Sequence, residues 1–378
     1  MSHSLKILHC LRAPVGGLFR HVRDLATEQT KRGHKVGILA DAETSDSLTE
    51  HHLSALAPDL ELGIHRTRIG RNPGLSDLKA VTFAKRLSQS LNIDVLHGHG
   101  AKGGALARLA GRSLKRHNTG VGVFYTPHGG SLHYSPNTIK GRIFLTLERS
   151  LTAATDGLIF ECDFARTIYE DHIGKNLAAT KIIHNGLHSH EFESLNFAPD
   201  AELSDFVFVG ELRTLKGVDV LLRALAEINE NDDATLKIAG DGPDGDQFKS
   251  LANGLGVNNR VSFLGAMPAR KLFELGRILV MPSRKESFPY VVLEAGAAGL
   301  PMITTNVGGI PEIMQAVSAT MVNPDDVGAL ARAMKTQRDN YQAAIAQAET
   351  LRERLRKNFM VDDMTTKVID FYRQNRSH

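Results

Sequence analysis

The chain has 378 residues, 42% of them hydrophobic and 23% charged, and a formal net charge of +3. That length exceeds what one hydrophobic core usually serves, so two domains are expected, and the ordinary composition without low-complexity tracts excludes a disordered or fibrous chain. No apolar run is long enough to span a bilayer, Met1-Ser2-His3-Ser4 has no signal character, and Cys10 and Cys162 lie in apolar contexts. A reducing, cytoplasmic setting is the expectation. The charge is uneven: residues 1–198 hold 24 Lys+Arg against 18 Asp+Glu, whereas residues 199–378 hold 21 against 24. The basic half predicts an anionic surface or acceptor on that side.

In chain order, Leu5–His9 reads as a buried strand, and Gly16-Gly17 opens an amphipathic helix carrying His21, Leu25 and Ala26. His34–Ala40 is the next strand. Alternation continues with strand 61–68, helix 76–89, strand 94–97, helix 102–115, strand 120–125, helix 139–153 and strand 157–161, closing at Lys181–His184. Strands alternating with helices predict a parallel sheet covered on both faces. Phe192–Asp205 mixes Asn196, Pro199 and four acids without periodicity, which marks a linker. The pattern then restarts with strand 206–209, helix 218–228, strand 236–239, helix 247–255, strand 261–264, strand 278–281, strand 302–304, strand 320–322 and a helix from Asp325. A last helix, about 364–374, follows a break at Asp362-Asp363.

The most informative stretch is Arg284-Lys285-Glu286-Ser287-Phe288-Pro289-Tyr290-Val291-Val292-Leu293-Glu294-Ala295-Gly296, followed by Gly299-Leu300-Pro301. It joins a strand to a helix, with Pro289 suited to a first turn. Free N–H groups near Ser287 and Phe288 would suit a phosphate. Glu286 and Glu294 flank that start, and carboxylates accept hydrogen bonds from hydroxyl pairs. The combination predicts a ligand with an anionic middle and polyol ends, such as a nucleotide-diphosphate sugar. Arg213 and Lys216 follow the strand that ends at Val209-Gly210, where ligands sit in parallel sheets, and could neutralise a diphosphate.

The spacing Glu286-x7-Glu294, with Pro282-Ser283, Gly299-Leu300-Pro301 and Gly308-Gly309-Ile310-Pro311-Glu312, resembles glycosyltransferase family 4, retaining enzymes of the GT-B fold. The resemblance implies two doubly wound Rossmann-like domains facing a cleft. An acceptor-side domain would span 1–195, a donor-binding domain 203–358, and a C-terminal helix 362–378 would pack back onto the first. It implies that Glu286 approaches the donor sugar and Glu294 holds the ribose diol. Gly16-Gly17 is similar to the family's glycine loop against the diphosphate, and His128, in Tyr125-Thr126-Pro127-His128-Gly129-Gly130, to its histidine near the donor sugar. Asn185-Gly186 resembles a family turn. One departure is Glu211, which fills the slot where the family has Arg, so that Arg213 two residues on would have to substitute.

Other motifs point elsewhere. Gly240-Asp241-Gly242-Pro243-Asp244-Gly245 fits a dinucleotide fingerprint, yet Asp241, Asp244 and Asp246 would repel a pyrophosphate. Asp244-Gly245-Asp246 spells the metal grip of GT-A enzymes, but Arg213, Lys216 and a helix start supply the charge a metal would. His97-Gly98-His99 and His188-Ser189-His190 read as turn histidines, with no metal expected. Arg108, Arg112, Lys115 and Arg116 share a helix with Leu106, Leu109 and Leu114, which suits an anionic membrane surface. The expected activity is metal-independent, retaining transfer of a sugar from a nucleotide-diphosphate sugar to an acceptor hydroxyl on a glycan or lipid-linked acceptor, in bacterial polysaccharide or glycolipid assembly. No cofactor and no nucleic acid partner is expected. The alternatives are a nucleotide-sugar epimerase of the same fold or a non-catalytic sugar-nucleotide-binding subunit.

Overall fold

Short apolar strands separated by one-sided helices can bury both sheet faces only by winding helices over each side. The computed structural model describes residues 4–44, 47–71, 74–116, 120–129, 136–175, 178–229, 232–317 and 321–376. The chain divides into two units, Met1–Gly186 with Val361–His378, and Leu187–Met360.

The first unit runs β1 (Lys6–Leu11), α1 (Gly16–Lys31), β2 (Lys35–Asp41), α2 (Ser47–Leu56), β3 (Ile64–Thr67), α3 (Leu75–Leu91), β4 (Val95–His99), α4 (Gly100–Lys115), β5 (Gly122–Thr126), α5 (Ile139–Thr152), β6 (Gly157–Phe160), α6 (Asp163–His172) and β7 (Ala179–Ile182). Its seven strands are ordered β3-β2-β1-β4-β5-β6-β7. Every pairing is parallel.

The second unit runs β8 (Ser204–Val209), α7 (Val218–Ile228), β9 (Leu236–Ala239), α8 (Gly245–Gly254), β10 (Val261–Phe263), α9 (Ala269–Phe273), β11 (Gly276–Met281), α10 (Tyr290–Ala297), β12 (Met302–Thr305), α11 (Ile310–Ile313), β13 (Met321–Val322), α12 (Val327–Asp339) and α13 (Tyr341–Asn358). Its parallel sheet is ordered β10-β9-β8-β11-β12-β13. Each sheet reverses its winding once, between β1 and β4 and between β8 and β11. Loops leave those neighbouring strands toward opposite faces, which opens a crevice at the carboxyl ends.

The unit boundary at Gly186/Leu187 falls ahead of the 192–205 segment expected as the linker. Short 3-10 turns at Ser189–Phe192 and Asp200–Glu202 belong to the second unit, where Arg270 donates to the carbonyls of Glu191 at 3.2 Å and Glu193 at 2.8 Å. Sequence periodicity also passes over α2 and α6, and does not separate α12 from α13.

The last helix, α14 (Val361–Asn375), belongs to the first unit. Val361, Met364, Val368, Phe371 and Tyr372 are buried in one core with Leu5, Ile7, Val95, Phe124 and Ile159. Asp362 and Asp363, expected as a break, lie in the first turn of α14, where carboxylates favour the helix dipole. Phe371→Ala should cost about 3–5 kcal/mol through the cavity it leaves. Urea unfolding read by a probe in the first unit checks this, and a loss under about 1 kcal/mol would mean that α14 packs without consequence.

Candidate active site

The first unit gathers histidines where its sheet reverses. Parallel pairing sets His9 of β1 beside His97 of β4, and His97 and His99, two apart, share one face of the strand. His21 on α1 and His128 after β5 complete a group with ring centroids as close as 4.0 Å for His97–His99 and 4.9 Å for His21–His128. His128 carries a φ of +50°, uncommon without glycine, in the turn that ends the β5 loop. Its Nδ1 donates to Glu161, which follows β6, and its Nε2 faces His99 Nδ1 at 3.1 Å. His99 Nε2 faces His9 Nδ1 at 3.0 Å, and His9 Nε2 meets Gln29 Oε1 at 2.8 Å. His21 Nδ1 meets Asn185 Oδ1 at 2.9 Å. His97 bridges Tyr372 of α14 at 2.6 Å and Thr126 at 2.9 Å.

Burial lowers the His9 pKa to about 4, against the upward pull of its Gln29 hydrogen bond. It lowers that of His21 to about 3, with His128 adding to the effect. His97 and His99 are also well below the ordinary value, through burial first and the neighbouring imidazoles second. These four rings are therefore neutral at neutral pH. Gly16 and Gly17 are exposed at the start of α1, whose N-cap Val15 supplies no side-chain cap, so the first N–H groups of the helix are left to a ligand or solvent.

In the second unit, the loops after β8 and β11 carry the predicted charges. Lys216 donates to Glu286 Oε1 at 2.7 Å, and Ser283, fully buried, donates to the same oxygen at 2.7 Å. The two loops are fastened by Arg284, whose guanidinium binds Asp219 with both ends at 2.7 and 2.8 Å and reaches Asp325 at 2.7 Å. Burial would raise the Asp219 pKa, but Arg284 and backbone N–H groups together carry it below the ordinary carboxylate range. Gly308 admits the Glu286 carbonyl where a Cβ would lie 2.1 Å from it, and Gly309 N donates to Ser287 O at 2.7 Å.

The helix α10 begins at Tyr290, with Pro289 at the N-cap rather than inside the first turn. Phe288 is buried and stacks on Phe359 at 6.0 Å, so its ring is turned to the core and only its backbone is on offer. Glu294 is half-buried in the second turn of α10. Arg213 is half-exposed and 3.6 Å from Glu211, so it stands free enough to turn toward an anion.

Both units match models of one family. Residues 15–191 match the model described as Glycosyltransferase Family 4, and residues 204–340 match Glycosyl transferases group 1. The chain belongs to the group 1 glycosyltransferases. A glycogen synthase of Mycobacterium tuberculosis is 27% identical over 95% of this chain and 91% of its own. Among solved structures, sucrose-phosphate synthase from Thermosynechococcus elongatus superposes with a TM-score of 0.80 at 19% identity, covering 98% of this chain and 99% of that one. HepE of Anabaena, in complex with UDP-glucose, gives 0.79 at 19% identity, covering 98% and 100%. At such identities the likeness is one of fold, and that fold is GT-B.

Against this glycosyltransferase frame the competing motifs resolve. Cβ atoms at Gly240 and Gly242 would lie 1.9 Å from Gly210 O and 2.5 Å from Leu212 O. Those glycines let two loops of the same sheet pack closely. Asp244 accepts from Thr214 N at 2.6 Å and Thr214 Oγ1 at 2.7 Å, which fixes the turn bearing Lys216. Asp246 is fully exposed and 3.4 Å from Lys249. His97 and His99, expected as turn histidines, are buried strand residues, whereas His188 and His190 stack on each other in the second unit. Gly130 lies outside the described residues.

The expected membrane-facing patch on α4 does not form as a unit. Arg108 is fully buried, 2.7 Å from Glu148 and 3.9 Å above the Tyr125 ring, because one turn of α4 faces the sheet rather than solvent. Lys115 binds both oxygens of Asp156 at 2.6 Å, and only Arg112 and Arg116 remain exposed. Arg108→Ala should therefore remove the buried Arg108–Glu148 ion pair and cost about 3–5 kcal/mol of stability. Chemical denaturation and liposome co-sedimentation discriminate: unchanged stability with weakened vesicle binding would restore the patch.

Proposed function

We propose that this glycosyltransferase moves a sugar from a nucleoside-diphosphate sugar to an acceptor hydroxyl with retention of configuration. The observation that carries the proposal is the meeting of Lys216 and Glu286 on fastened loops at the carboxyl ends of β8 and β11, where doubly wound sheets take their ligands. UDP-glucose in the HepE complex and the glycogen synthase name of the mycobacterial relative support a nucleotide sugar as donor.

In this reading Lys216 and Arg213 neutralise the diphosphate, helped by backbone N–H groups at Ser287 and Phe288. Glu286 addresses the donor sugar, and Glu294 the ribose diol. The bond from the anomeric carbon to the diphosphate breaks while that carbon bonds to the acceptor oxygen on the same face. The acceptor proton passes to the departing phosphate. The chain contributes position and charge stabilisation, with no covalent nucleophile. Polysaccharide or glycolipid assembly on the cytoplasmic side is the setting we propose.

A panel of nucleotide sugars, scored for nucleotide release with and without acceptor alcohols, tests the reading. Acceptor-dependent release is expected; a donor sugar altered but never released, or binding without turnover, would overturn it. Glu294→Ala should weaken nucleoside diphosphate binding by about 1.5–3 kcal/mol, the range for hydrogen bonds to a charged group. Calorimetric titration of the folded variant reads this, and unchanged affinity removes Glu294 from the ribose. Because Arg213 and Lys216 supply the cations, turnover should continue in EDTA. A loss restored by Mg²⁺ or Mn²⁺ would instead assign the diphosphate charge to a metal.

A further inference from the structure

Right-handed crossovers set α3, α4 and α5 side by side over one face of the first sheet, with α4 in the middle. Three glycines let α4 lie close on that sheet. A Cβ on Gly103 would be 2.2 Å from Cys10 O, one on Gly104 2.1 Å from the Tyr125 ring, and one on Gly111 2.3 Å from Val123. Over α4, between α3 and α5, runs a groove of about 480 Å³. Its apolar walls include Val81 of α3, Leu106 and Leu109 of α4, and Phe144 and Leu147 of α5. That volume lies within the roughly 300–1,000 Å³ of sites that bury small molecules. Polar contacts fix the walls: Lys102 of α4 binds Asp77 of α3 at 2.7 Å, and Arg108 of α4 binds Glu148 of α5 at 2.7 Å. On its far side α5 is tied by Arg149, which donates to the carbonyls of Ile173 at 2.7 Å and His172 at 3.1 Å.

The cations of the groove gather at one end. Arg12 follows β1, Arg71 follows β3, and Lys102 and Lys140 stand in the first turns of α4 and α5. These positions mark the carboxyl-end rim of the sheet, where doubly wound folds take their ligands. The two carboxylates that line the groove are each matched, Asp77 by Lys102 and Glu148 by Arg108. Among the described residues, Arg12 and Arg71 have no carboxylate partner, and the Arg12 guanidinium reaches Thr44 Oγ1 at 3.5 Å. The rim therefore carries positive charge that the chain does not offset. The outer edges of the groove are apolar. Among the described residues, six of the twelve large hydrophobic side chains exposed to solvent are Leu78, Phe83, Leu109, Ile139, Ile143 and Leu147, all on these three helices. The last three recur every four residues and form one stripe along α5. Single exposed hydrophobics are ordinary, but half of them around one groove mark a binding surface.

We propose that this groove binds the hydrocarbon chain of an anionic amphiphile, with the charged end at the Arg12 and Arg71 rim, and that the acceptor of the transfer is a lipid of that kind. A free sugar would set its hydroxyls against walls that offer them few partners. A hydrocarbon chain removes those walls from water, and each CH₂ that it buries strengthens binding about fourfold. Guanidinium groups suit the phosphate or carboxylate at its head. The acceptor role rests on the sugar-transfer reading; the groove rests on the first unit alone.

The full chain is titrated calorimetrically with octyl, decyl and dodecyl phosphate below their micelle concentrations, and with inorganic phosphate. One molecule per chain is expected, with affinity rising about fourfold per CH₂ until the groove is filled and inorganic phosphate failing to compete. This series needs no variant. Ala105, half-buried, also lines the groove, so Ala105→Leu should fill it and weaken dodecyl phosphate at least about 10-fold, with nucleoside diphosphate affinity unchanged. Replacing Arg12 and Arg71 with Gln should weaken every chain length by one common factor of about 10 or more, the loss of hydrogen bonds to a charged head. With a nucleotide sugar present, acceptor alcohols carrying an octyl chain should have a KM at least about 10-fold below that of their methyl counterparts, and Ala105→Leu should remove the difference. Alkyl phosphate bound with no nucleotide released from any acceptor would overturn the sugar-transfer reading and leave the groove as a lipid site. Affinity independent of chain length, adsorption to anionic phospholipid vesicles with no monomer bound, full binding by folded Ala105→Leu, or equal turnover of methyl and octyl acceptors would each overturn the proposal.

Discussion

The contact on which the first unit's chemistry depends is that between Glu161 and His128. Glu161 leaves the end of β6 and holds His128 by its side chain, while its backbone carbonyl takes the His184 ring at 2.7 Å. Two loops are thus anchored on one residue. His128 adopts a left-handed backbone that is uncommon outside glycine, and the carboxylate grips the ring that this backbone presents. With His128 fixed, His99, His9 and Gln29 follow in a line of ring contacts, each setting the tautomer of the next. A buried polar network of this kind specifies geometry because a half-satisfied version of it is costly.

The second unit solves a different problem. Its loops bring a cation and a carboxylate together at the carboxyl ends of β8 and β11. Lys216 and Glu286 satisfy one another, so neither is a lone charge on a half-buried loop. Side-chain exposures of 24% and 9% place the pair between a weak surface bridge and a costly buried one. The rigidity is supplied elsewhere, by Arg284 gripping Asp219 and Asp325, so the functional pair is free to change partners without loosening the loops.

Much of this was legible in the sequence, and the limits have physical causes. The alternation of strands and helices, Glu286 with Glu294, and the charged loop after β8 could be read because each is local: a period, a spacing, a strand end. Arg108 has no local signal of burial, because the amphipathic pattern of α4 sorts apolar from polar residues and an arginine whose guanidinium lies over the Tyr125 ring counts as polar. The linker was set late because turns tied by backbone carbonyls, such as Ser189–Phe192, have no periodicity to reveal them. His9 and His21 have no local signal because their ring neighbours come from β4 and from the turn after β5, and register between distant strands is written in no short motif. The single available signal was the number of histidines near predicted strand ends.

The path of the chain has a further consequence, for its biosynthesis. The second unit is one continuous stretch, whereas the first is completed by the final helix. A nascent chain therefore emerges with its opening sheet exposed on the side that Phe371 and Tyr372 later cover, and the unit begun first is the one finished last. The Tyr372 hydroxyl meets the buried His97 ring at 2.6 Å. A chain cut before α14 would keep the whole of the second unit and leave the core of the first uncovered around Phe124 and Ile159.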